Sequence, residues 1–508
     1  MTKHNNVIAN SAHIHYKLAT MWHAKGHLDR AVSGYREAIS LQPTYVPAHL
    51  ELGNVLCRQG NFDEAIDVFQ RAIDLNPNEA IFPQKLADLL ARKKATVANG
   101  QNIGLPAATY QQTTANGLGH ILLYTDCPGI HGAEQCNQLL MLNLVEAGYR
   151  VSCAQSKADH HLIQERHQAG IQHLWLEPDD IYNDPQGANA FTNAEEAAWV
   201  INTARPDLII FSGGCPVSNL VAQQVAARLG IPYLVIVHCV TAAWANKFNA
   251  HLFKLPPIYQ QAEAVIAVSQ ENLTLLRQHF GLPNTMGQVL YNGRPNSFFT
   301  PVDAVIRRQI RRQLNIPAEA VVVFTSGRME MVKGYQYQLQ AIKQVRQKPV
   351  WSHLYFMWAG TGTLESQLRA IIAQIDAEDH VKFLGQRSDI PDLLNAADIF
   401  VLSSHFEGMP LSVMEAMAKG LPVIASAVSG TVEELGDAGH LLPNPGADPA
   451  GVINGLADTL TAWATDTNLR SAIGRACQQR AERLFQAEPM FNRYLDIIRQ
   501  TLAKDNNP

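Results

Sequence analysis

Two successive series of apolar strands alternate with helical stretches between Ile121 and Ser426. Such alternation implies parallel sheets that are covered on both faces by helices. The first series has predicted strands at 121–125, 150–154, 207–212, 233–239 and 264–269. The second series, after the junction Tyr291-Asn292-Gly293, has predicted strands at 321–325, 354–359, 381–384, 398–402 and 422–426. The pattern therefore predicts two doubly wound α/β domains that follow one another along the chain.

Two carboxylates, Glu407 and Glu415, flank the start of a predicted helix at 411–419, just after a strand of the second series. Gly408 lets the connecting backbone approach a ligand closely, and Pro410 suits a first helical position because it has no N–H to lose. The free N–H groups and dipole of a helix N-terminus attract phosphate, and parallel sheets bind ligands at this strand edge. We expect one carboxylate to reach a ribose and the other to face the group that the phosphates carry.

The segment around these carboxylates resembles the Glu-x7-Glu signature of glycosyltransferase family 4. The family form runs from Glu407 to Ile424 and includes Gly408, Pro410, Ser412, Glu415, Ala416, Ala418, Gly420 and Pro422. Two further family elements are present, Gly327-Arg328 with Lys333-Gly334, and Val381-Lys382-Phe383-Leu384-Gly385. The resemblance covers roughly residues 119–485. It implies a GT-B fold, in which two doubly wound domains face each other across a cleft, and a nucleotide-diphosphate sugar as donor.

By this resemblance, Arg328 and Lys333 bind the diphosphate of the donor, with a planar fork and a compact charge respectively. Fixed charges of this kind act where negative charge develops on a leaving group. Glu415 accepts hydrogen bonds from the ribose, and Glu407 holds the donor sugar with the backbone of 408–411. The predicted catalytic set is Glu407, Arg328, Lys333 and His238, and the predicted donor-binding set is Glu415, Gly408, Met409, Pro410, Leu411, Ser412, Gly327, Leu384, Gly132 and His131. Solvated surface charge is the alternative interpretation of the charged residues.

A glycine-rich segment, Pro128-Gly129-Ile130-His131-Gly132-Ala133-Glu134, follows the first predicted strand and opens a helix. It resembles the family loop that ends in Gly-Ala-Glu, except that His131 stands where the family usually has a second glycine. His131 is expected either to bind phosphate or acceptor, or to be a surface histidine. His238 ends the predicted strand at 233–239 and resembles the family histidine that contacts the transferred sugar. A core histidine is the alternative interpretation of His238.

The N-terminal part of the chain repeats with a 34-residue period. The equivalent pairs are Gly26 and Gly60, Ala31 and Ala65, Tyr35 and Phe69, Ala38 and Ala72, Pro43 and Pro77, and Leu18 and Leu52. The period and the residue types resemble the tetratricopeptide repeat. The prediction is an all-α module at 1–94, with two repeats and a cap helix at about 80–93. Because repeat units cannot bury their apolar faces alone, we expect the module to lean on the catalytic domain or on a second copy of itself.

A stretch rich in Gly, Asn, Gln and Thr at 95–118 predicts a linker after the repeats. The catalytic part is expected to have an N-terminal acceptor domain at 119–298 and a C-terminal donor domain at 299–485. By family resemblance, a helix at 486–503 crosses back onto the acceptor domain. Residues 179–193 are expected to form a surface excursion, to which no role is assigned.

Composition argues against several other classes of protein. A formal net charge of −5 disfavours a general nucleic-acid binder, and no apolar run approaches ~18 residues, so no membrane span is expected. Seven scattered cysteines and a polar start without a signal peptide's apolar core predict a cytoplasmic protein. No Asp-x-Asp motif stands in a suitable loop, so we expect no metal and no other cofactor. A basic helix face is either solvated or drawn to an anionic membrane or acceptor, and consists of Arg307, Arg308, Arg311 and Arg312.

The predicted function, by resemblance, is transfer of a sugar from a nucleotide-diphosphate sugar with retention of configuration, through front-face attack. The repeats predict a protein partner and favour a protein or peptide acceptor. Tetratricopeptide repeats also accompany GT-B units in protein O-glycosylating enzymes, although those belong to a different, inverting family. A polysaccharide or lipid-linked glycan acceptor is one alternative. An inactive GT-B interaction scaffold is another, which the intact charged motif residues disfavour. Side chains specify neither the sugar nor the nucleotide base.

Overall fold

The computed structural model describes residues 2–24, 28–58, 62–75, 82–83, 86, 118–127, 129–158, 160–176 and 193–504. The chain divides into two compact units, Met1–Thr109 and Tyr110–Pro508. The predicted features that lie outside the described residues are Gly26, Gly60, Pro77, Pro128, the linker at 95–117 and the excursion at 179–192.

The first unit is built from helices. These are α1 Thr2–Ala24, α2 Leu28–Leu41, α3 Val46–Arg58 and α4 Phe62–Leu75. The small and aromatic positions that recur in the sequence are buried in its core, namely Ala31, Ala65, Tyr35, Phe69, Ala38 and Ala72. Of the predicted cap helix, the structure describes Phe82, Pro83 and Leu86, and Phe82 and Leu86 pack into the same core. The recurring residues are therefore the ones that hold neighbouring helices together.

One repeated pair differs in burial. Leu52, on α3, is 3% exposed, whereas Leu18, on α1, is 46% exposed. Helix α3 contacts both the preceding helix, α2, and the following helix, α4, whereas α1 is the first of the described helices. Among the described helices, α3 packs between two neighbours, which accounts for the deeper burial of Leu52.

The second unit contains a seven-stranded parallel sheet with the order β3-β2-β1-β4-β5-β6-β7. Its strands are β1 His120–Thr125, β2 Arg150–Ser156, β3 Gln172–Leu176, β4 Leu208–Gly213, β5 Tyr233–Val237, β6 Ala264–Ala267 and β7 Gln288–Val289. Its helices are α5 Gly132–Glu146, α6 His161–Gln168, α7 Ala194–Ala204, α8 Leu220–Leu229, α9 Ala242–Lys247, α10 Leu255–Gln261 and α11 Gln270–His279. Separate apolar cores cover the two faces of this sheet.

A six-stranded parallel sheet follows, with the order β10-β9-β8-β11-β12-β13. Its strands are β8 Val321–Ser326, β9 Leu354–Ala359, β10 Val381–Gly385, β11 Ile399–Leu402, β12 Val423–Ser426 and β13 His440–Leu442. The remaining helices are α12 Ala304–Gln313, α13 Tyr335–Val345, α14 Glu365–Gln374, α15 Ile390–Ala396, α16 Leu411–Ala418, α17 Gly430–Leu435, α18 Pro449–Thr465, α19 Thr467–Leu484 and α20 Ala487–Lys504. The two sheets confirm the predicted α/β fold class.

Both sheets reverse their winding direction near the centre. In the first sheet the chain runs outward from β1 to β3 and returns to β4 on the other side of β1, and β8 and β11 have the same relationship in the second sheet. A crevice forms at such a switch point, outside the carboxyl ends of the strands, and binds ligands in open α/β sheets. The loops after β8 and β11 carry Arg328, Lys333 and Glu407. The predicted motifs thus lie on the two loops that border this crevice.

The sequence prediction missed β3, β7 and β13. Strands β7 and β13 have two and three residues, too few to show a periodic pattern. Strand β3 has the sequence QHLWL and is only partly buried, so it lacks the continuous apolar run of the central strands. All three lie near or at the edges of their sheets, where a strand is covered less completely.

The last helix, α20, packs on the first sheet. Its residues Met490, Tyr494, Leu495 and Ile498 belong to the same core as β1 and β4. No helix in the parts of the chain that the structure describes has the length and apolar character needed to cross a bilayer.

Two of the four arginines on the predicted basic face of α12 form ion pairs within the fold. Arg307 and Arg311 each place a guanidinium nitrogen 2.6 Å from an oxygen of Asp398, which directly precedes β11. Arg311 also donates to backbone carbonyl oxygens at both sides of this carboxylate, and its side chain is buried. Arg308 and Arg312 are exposed. Two of the four arginines therefore stabilise the fold and present no charge to a membrane.

Candidate functional site

Lys333 and Glu407 form an ion pair at the switch point of the second sheet. Lys333 Nζ lies 2.6 Å from Glu407 Oε1, and Ser404 Oγ donates to the same oxygen at 2.6 Å. Gly334 has a φ of +72°, and a Cβ at this position would lie 1.8 Å from the carbonyl oxygen of Ser403. Glycine is therefore required where the loop after β8 passes the loop after β11. The crossing of the two loops brings the lysine to the glutamate.

Helix α16 begins directly after this pair. Pro410 precedes the helix in an extended conformation, with φ −73° and ψ 115°, so it caps the helix and is not its first residue as predicted. Met409, Pro410 and Leu411 are buried, and Ser412 is half-buried. Because these side chains are largely turned inward, the stretch presents mainly the backbone N–H groups of a helix N-terminus, which suit an anion.

Gly408 allows the two sheets' loops to meet. A Cβ at position 408 would lie 2.1 Å from the carbonyl oxygen of His238, which follows β5. On its other side, a Cβ at Gly430 would lie 2.0 Å from the carbonyl oxygen of Gly408. The sequence predicted close approach of this backbone to a ligand. The structure shows that the close approach is to the protein's own backbone across the cleft.

Glu415 is buried in an ion pair with Arg294. Their Oε1 and Nη2 atoms are 2.6 Å apart, and the side chains are 7% and 8% exposed. Arg294 also donates to Gln135 Oε1 at 3.3 Å and lies over the ring of Phe298. Burial raises the pKa of Glu415, and the nearby Arg294 limits the rise. Sequence reasoning missed Arg294, because a single arginine at the junction of two domains has no distinguishing pattern.

Arg328 is exposed on the loop after β8. The backbone just before it is held in place: the Gly327 N–H donates to Ala359 O at 2.9 Å, and Tyr335 Oη donates to Gly327 O at 2.8 Å. Leu384, in β10, is half-buried and packs against the core of the second sheet. A rigid backbone thus carries a side chain that extends into solvent at the mouth of the crevice.

The glycine-rich loop of the first sheet approaches these cations. His131 is exposed and directly precedes α5. Partial burial lowers the pKa of His131, and the charges of Arg328 and Lys333 lower it further. Gly132 faces α16, since a Cβ at 132 would lie 3.7 Å from Leu411 Cγ. The structure therefore brings His131, Gly132 and the two cations to one cleft.

His238 directly follows β5 and does not end it as predicted. Its Nε2 lies 3.0 Å from Ser212 Oγ, which donates to Asn137 Oδ1 at 2.6 Å. Since the serine proton goes to Asn137, this network assigns the histidine proton to Nε2. Burial lowers the pKa of His238 to about 4, so the ring is neutral at neutral pH. His238 is a neutral hydrogen-bonding group at the strand edge that faces Gly408.

A third carboxyl group lies near the two predicted ones. Glu434, on α17, is fully buried. Burial raises its pKa well above the usual range, and the nearby Glu407 carboxylate raises it further. Sequence reasoning missed Glu434, because the pair Glu433-Glu434 looks like an ordinary acidic helix surface. The site therefore contains a third, fully buried carboxyl beside its two ion pairs.

Models of three protein families match the chain. Glycosyltransferase Family 4 matches residues 130–296, Glycosyl transferases group 1 matches residues 306–480, and Tetratricopeptide repeat matches residues 46–79. Together, the first two matches cover the cleft residues described above from His131 to Glu415. The exception is Phe298, which lies between the two matched ranges. The matches confirm both resemblances, to glycosyltransferase family 4 and to the tetratricopeptide repeat.

Curated relatives are similar over part of their length. Mannosylfructose-phosphate synthase of Agrobacterium fabrum is 28% identical over 193 residues, which are 36% of this chain and 42% of the relative. UDP-Gal:alpha-D-GlcNAc-diphosphoundecaprenol alpha-1,3-galactosyltransferase of Escherichia coli is 31% identical over 218 residues, which are 41% of this chain and 55% of the relative. The chain thus spans about half the length of these relatives.

Solved structures share the fold of the second unit. Alr3699/HepE of Anabaena, in complexes with UDP and with UDP-glucose, superimposes with a TM-score of 0.62 at 22% identity. The match covers 75% of this chain and 99% of that protein. It confirms the predicted GT-B fold class.

Proposed function

We propose that this chain is a retaining, metal-independent glycosyltransferase that takes its sugar from a nucleotide-diphosphate donor. The observation that carries the proposal is the ion pair of Lys333 and Glu407, held at 2.6 Å beside the N-terminus of α16. Arg328 stands on the same loop as Lys333. Two cations, one anchored carboxylate and a helix N-terminus converge at a switch-point crevice, where a diphosphate and a sugar can be held together. The family matches and the names of the relatives support the same function.

The proposed chemistry uses these groups in separate roles. Arg328, Lys333 and the N–H groups at the start of α16 stabilise the diphosphate as the bond between the sugar and phosphate breaks. Glu407 accepts hydrogen bonds from the donor sugar. The acceptor oxygen bonds to the sugar carbon on the face that the phosphate leaves, and the departing phosphate takes the acceptor proton. This front-face route retains configuration without a carboxylate nucleophile on the opposite face.

Nucleotide binding and donor hydrolysis test the proposal. Thermal melting with UDP, GDP, ADP and dTDP should identify one nucleotide that stabilises the fold, by about 2.7 kcal/mol at 100 times its dissociation constant. The matching nucleotide sugar should be hydrolysed slowly, and EDTA should leave the rate unchanged. If no nucleotide raised the melting temperature and no nucleotide sugar were hydrolysed, the inactive scaffold would be the better account. A loss in EDTA that Mg²⁺ restored would contradict the metal-independent mechanism.

The acceptor in this proposal is a protein or peptide that the repeats dock. The repeat unit offers a half-exposed aromatic cluster. The ring centroids of Tyr16 and Tyr45 lie 5.4 Å apart, and the Nδ1 atom of His13 lies 2.8 Å from the Oη atom of Tyr45. Aromatic groups with polar ends are enriched at protein interfaces. Docking by the repeats would raise the local concentration of the acceptor at the catalytic unit.

A glycan acceptor is the second candidate. The Escherichia coli relative is named for an acceptor in which GlcNAc is linked to diphosphoundecaprenol. A direct competition separates the candidates: serine- and threonine-containing peptides and oligosaccharides are offered with the same labelled donor. Labelled peptide supports the first candidate, whereas labelled oligosaccharide alone supports the second.

A further inference from the structure

We propose that Asp126 is an acceptor-binding residue, whose carboxylate accepts a hydrogen bond from an acceptor hydroxyl group. The inference rests on the proposed function and assigns a role on the acceptor side of the cleft. Asp126 directly follows β1, and β1 and β4 border the switch point of the first sheet. It therefore occupies the same place in the first sheet as the loop carrying Arg328 and Lys333 occupies in the second.

The strand register places Asp126 in a row with His238. The aligned pairs are Thr125 with Ser212, and Gly213 with Val237. Asp126, the backbone of Gly213 and His238 consequently end three adjacent strands at one edge. Because adjacent strands are about 4.8 Å apart, Asp126 and His238 stand roughly 10 Å from each other across β4. Gly213 and Gly214 stand between them, and Ser218 fills the space beside Gly213, since a Cβ at Gly213 would lie 2.5 Å from Ser218 Cβ.

The carboxylate of Asp126 is held in one orientation. Its Oδ1 accepts from the Gly214 N–H at 3.2 Å, and its Oδ2 accepts from Ser218 Oγ at 2.5 Å. The thiol of Cys127 lies 3.5 Å from Oδ1. Asp126 is half-buried, and an ionised carboxylate oxygen can accept more than one hydrogen bond. Because an ionised carboxylate accepts and never donates, the complementary ligand group is a hydroxyl donor.

The contacts of Asp126 with the Gly214 N–H and with Ser218 Oγ do not require a negative charge. An asparagine at 126 could accept from the Gly214 N–H through its oxygen and donate to Ser218 Oγ through its amide nitrogen. A carboxylate at the same place costs free energy, because partial removal from water disfavours its charged form. The same burial raises the pKa of Asp126. Because neither protein contact requires the negative charge of Asp126, a ligand that binds this charge explains the carboxylate more simply.

The decisive variant is Asp126→Asn in the full chain, with Asp207→Asn as a matched control. Asp207 also lies beside β1 and β4, but its Oδ2 accepts from the His120 N–H at 2.7 Å at the opposite edge of the sheet. The donor is the nucleotide sugar whose nucleotide gives the largest thermal shift. The acceptor probes are a panel of 4-nitrophenyl glycosides and a peptide rich in serine and threonine, which separate sugar hydroxyls from side-chain hydroxyls.

For Asp126→Asn, we expect acceptor kcat/KM to fall about tenfold or more, through a higher acceptor KM, as loss of a charge-assisted hydrogen bond implies. Donor hydrolysis and the melting temperature should stay near those of the wild type, and Asp207→Asn should change neither kcat/KM nor hydrolysis. Unchanged acceptor KM in folded Asp126→Asn overturns the inference. A parallel loss of hydrolysis and transfer also overturns it, because it would assign Asp126 to the donor.

Asp126→Glu covers the case in which the asparagine variant does not fold. It keeps the charge and displaces it by one methylene, so the same specific rise in acceptor KM is expected. If neither variant folds, Asp126 serves folding and the inference is wrong. A wild-type chain that hydrolyses the donor but uses no hydroxyl probe also overturns it. A wild-type chain without hydrolysis or transfer would instead contradict the proposed function.

Discussion

The Nζ atom of Lys333 lies 2.6 Å from Oε1 of Glu407, although the residues are 74 positions apart in the chain. The contact joins two motifs that were recognised separately. Since the glutamate side chain is 8% exposed, water screens this attraction only weakly. The pair holds the lysine in place before a donor arrives, so little rearrangement is needed when charge develops on the diphosphate.

Removal of either cation should abolish most turnover. We expect Arg328→Ala and Lys333→Ala each to lower the transfer rate about 100-fold or more, because each removes a fixed charge that stabilises the leaving diphosphate. Arg328 is exposed, so its variant should melt like the wild type. Arg312→Ala is the control, as Arg312 is an exposed arginine on α12 away from the crevice. Wild-type rates in folded Arg328→Ala would show that the site is assigned wrongly.

Glu415→Ala should destabilise the fold as well as weaken donor binding. The change leaves Arg294 buried and unpaired, which costs about 3–5 kcal/mol of unfolding free energy in comparable pairs. Urea unfolding measures this cost. The control is Glu365→Ala, which breaks an exposed pair with Arg369 on one helix and should cost under about 1 kcal/mol. Equal stability of the two variants would contradict a structural role for the Glu415 pair.

Gly408→Ala should separate the loops that meet across the cleft. The added Cβ would lie 2.1 Å from the carbonyl oxygen of His238, so backbone must move. We expect a loss of about 1–3 kcal/mol in unfolding free energy, together with slower transfer. Gly455→Ala, within helix α18, is the control. Its Cβ would meet only the end of the Leu442 side chain, and alanine favours a helix more than glycine does. An unchanged rate in Gly408→Ala would mean that the close contact is not needed for activity.

The stability of the protein should depend on His238 in the acid range. Its pKa is about 4 in the fold and about 6.5 in an unfolded chain. As pH falls from about 6.5 towards 4, the unfolded state binds a proton that the native state does not, so the contribution of His238 to stability declines. His238→Gln should therefore lose less unfolding free energy than the wild type between pH 7.5 and pH 5. Identical losses in urea unfolding would contradict a ring that stays neutral in the fold.

Deletion of residues 1–94 should separate docking from chemistry. Every residue proposed to hold the donor lies in the second unit, so donor hydrolysis should persist. Transfer to the natural acceptor should fall, because the repeats no longer raise its local concentration. Thermal melting must first show that the shortened chain folds. If it folds and transfers as well as the full chain, the repeats serve assembly instead, and light scattering of both proteins would show a change in subunit number.

Much of the fold was predictable from local patterns. The central strands β1, β4, β5, β8 and β11 are apolar runs whose ends were predicted within about two residues, because a strand buried on both faces is apolar throughout. Three of the four edge strands, β3, β7 and β13, were missed, since they are short or half-polar. The position of Glu407 on a loop was predicted, but not its burial. The structure gives this carboxylate two hydrogen-bonding partners, Lys333 and Ser404.

Local sequence patterns were sufficient to predict the alternation of strands and helices, the helical repeats and the positions of the donor motifs. Each of these depends on periodicity or on glycine and proline within a short segment. Three contacts could be found only in the folded protein: Arg294 pairs with Glu415, Gly408 lies against the His238 carbonyl group, and Asp126 reaches the loop after β4. These contacts join strand ends that are distant in the chain. Their partners are set by the winding order of the sheets and by the closure of two domains, which no local pattern encodes.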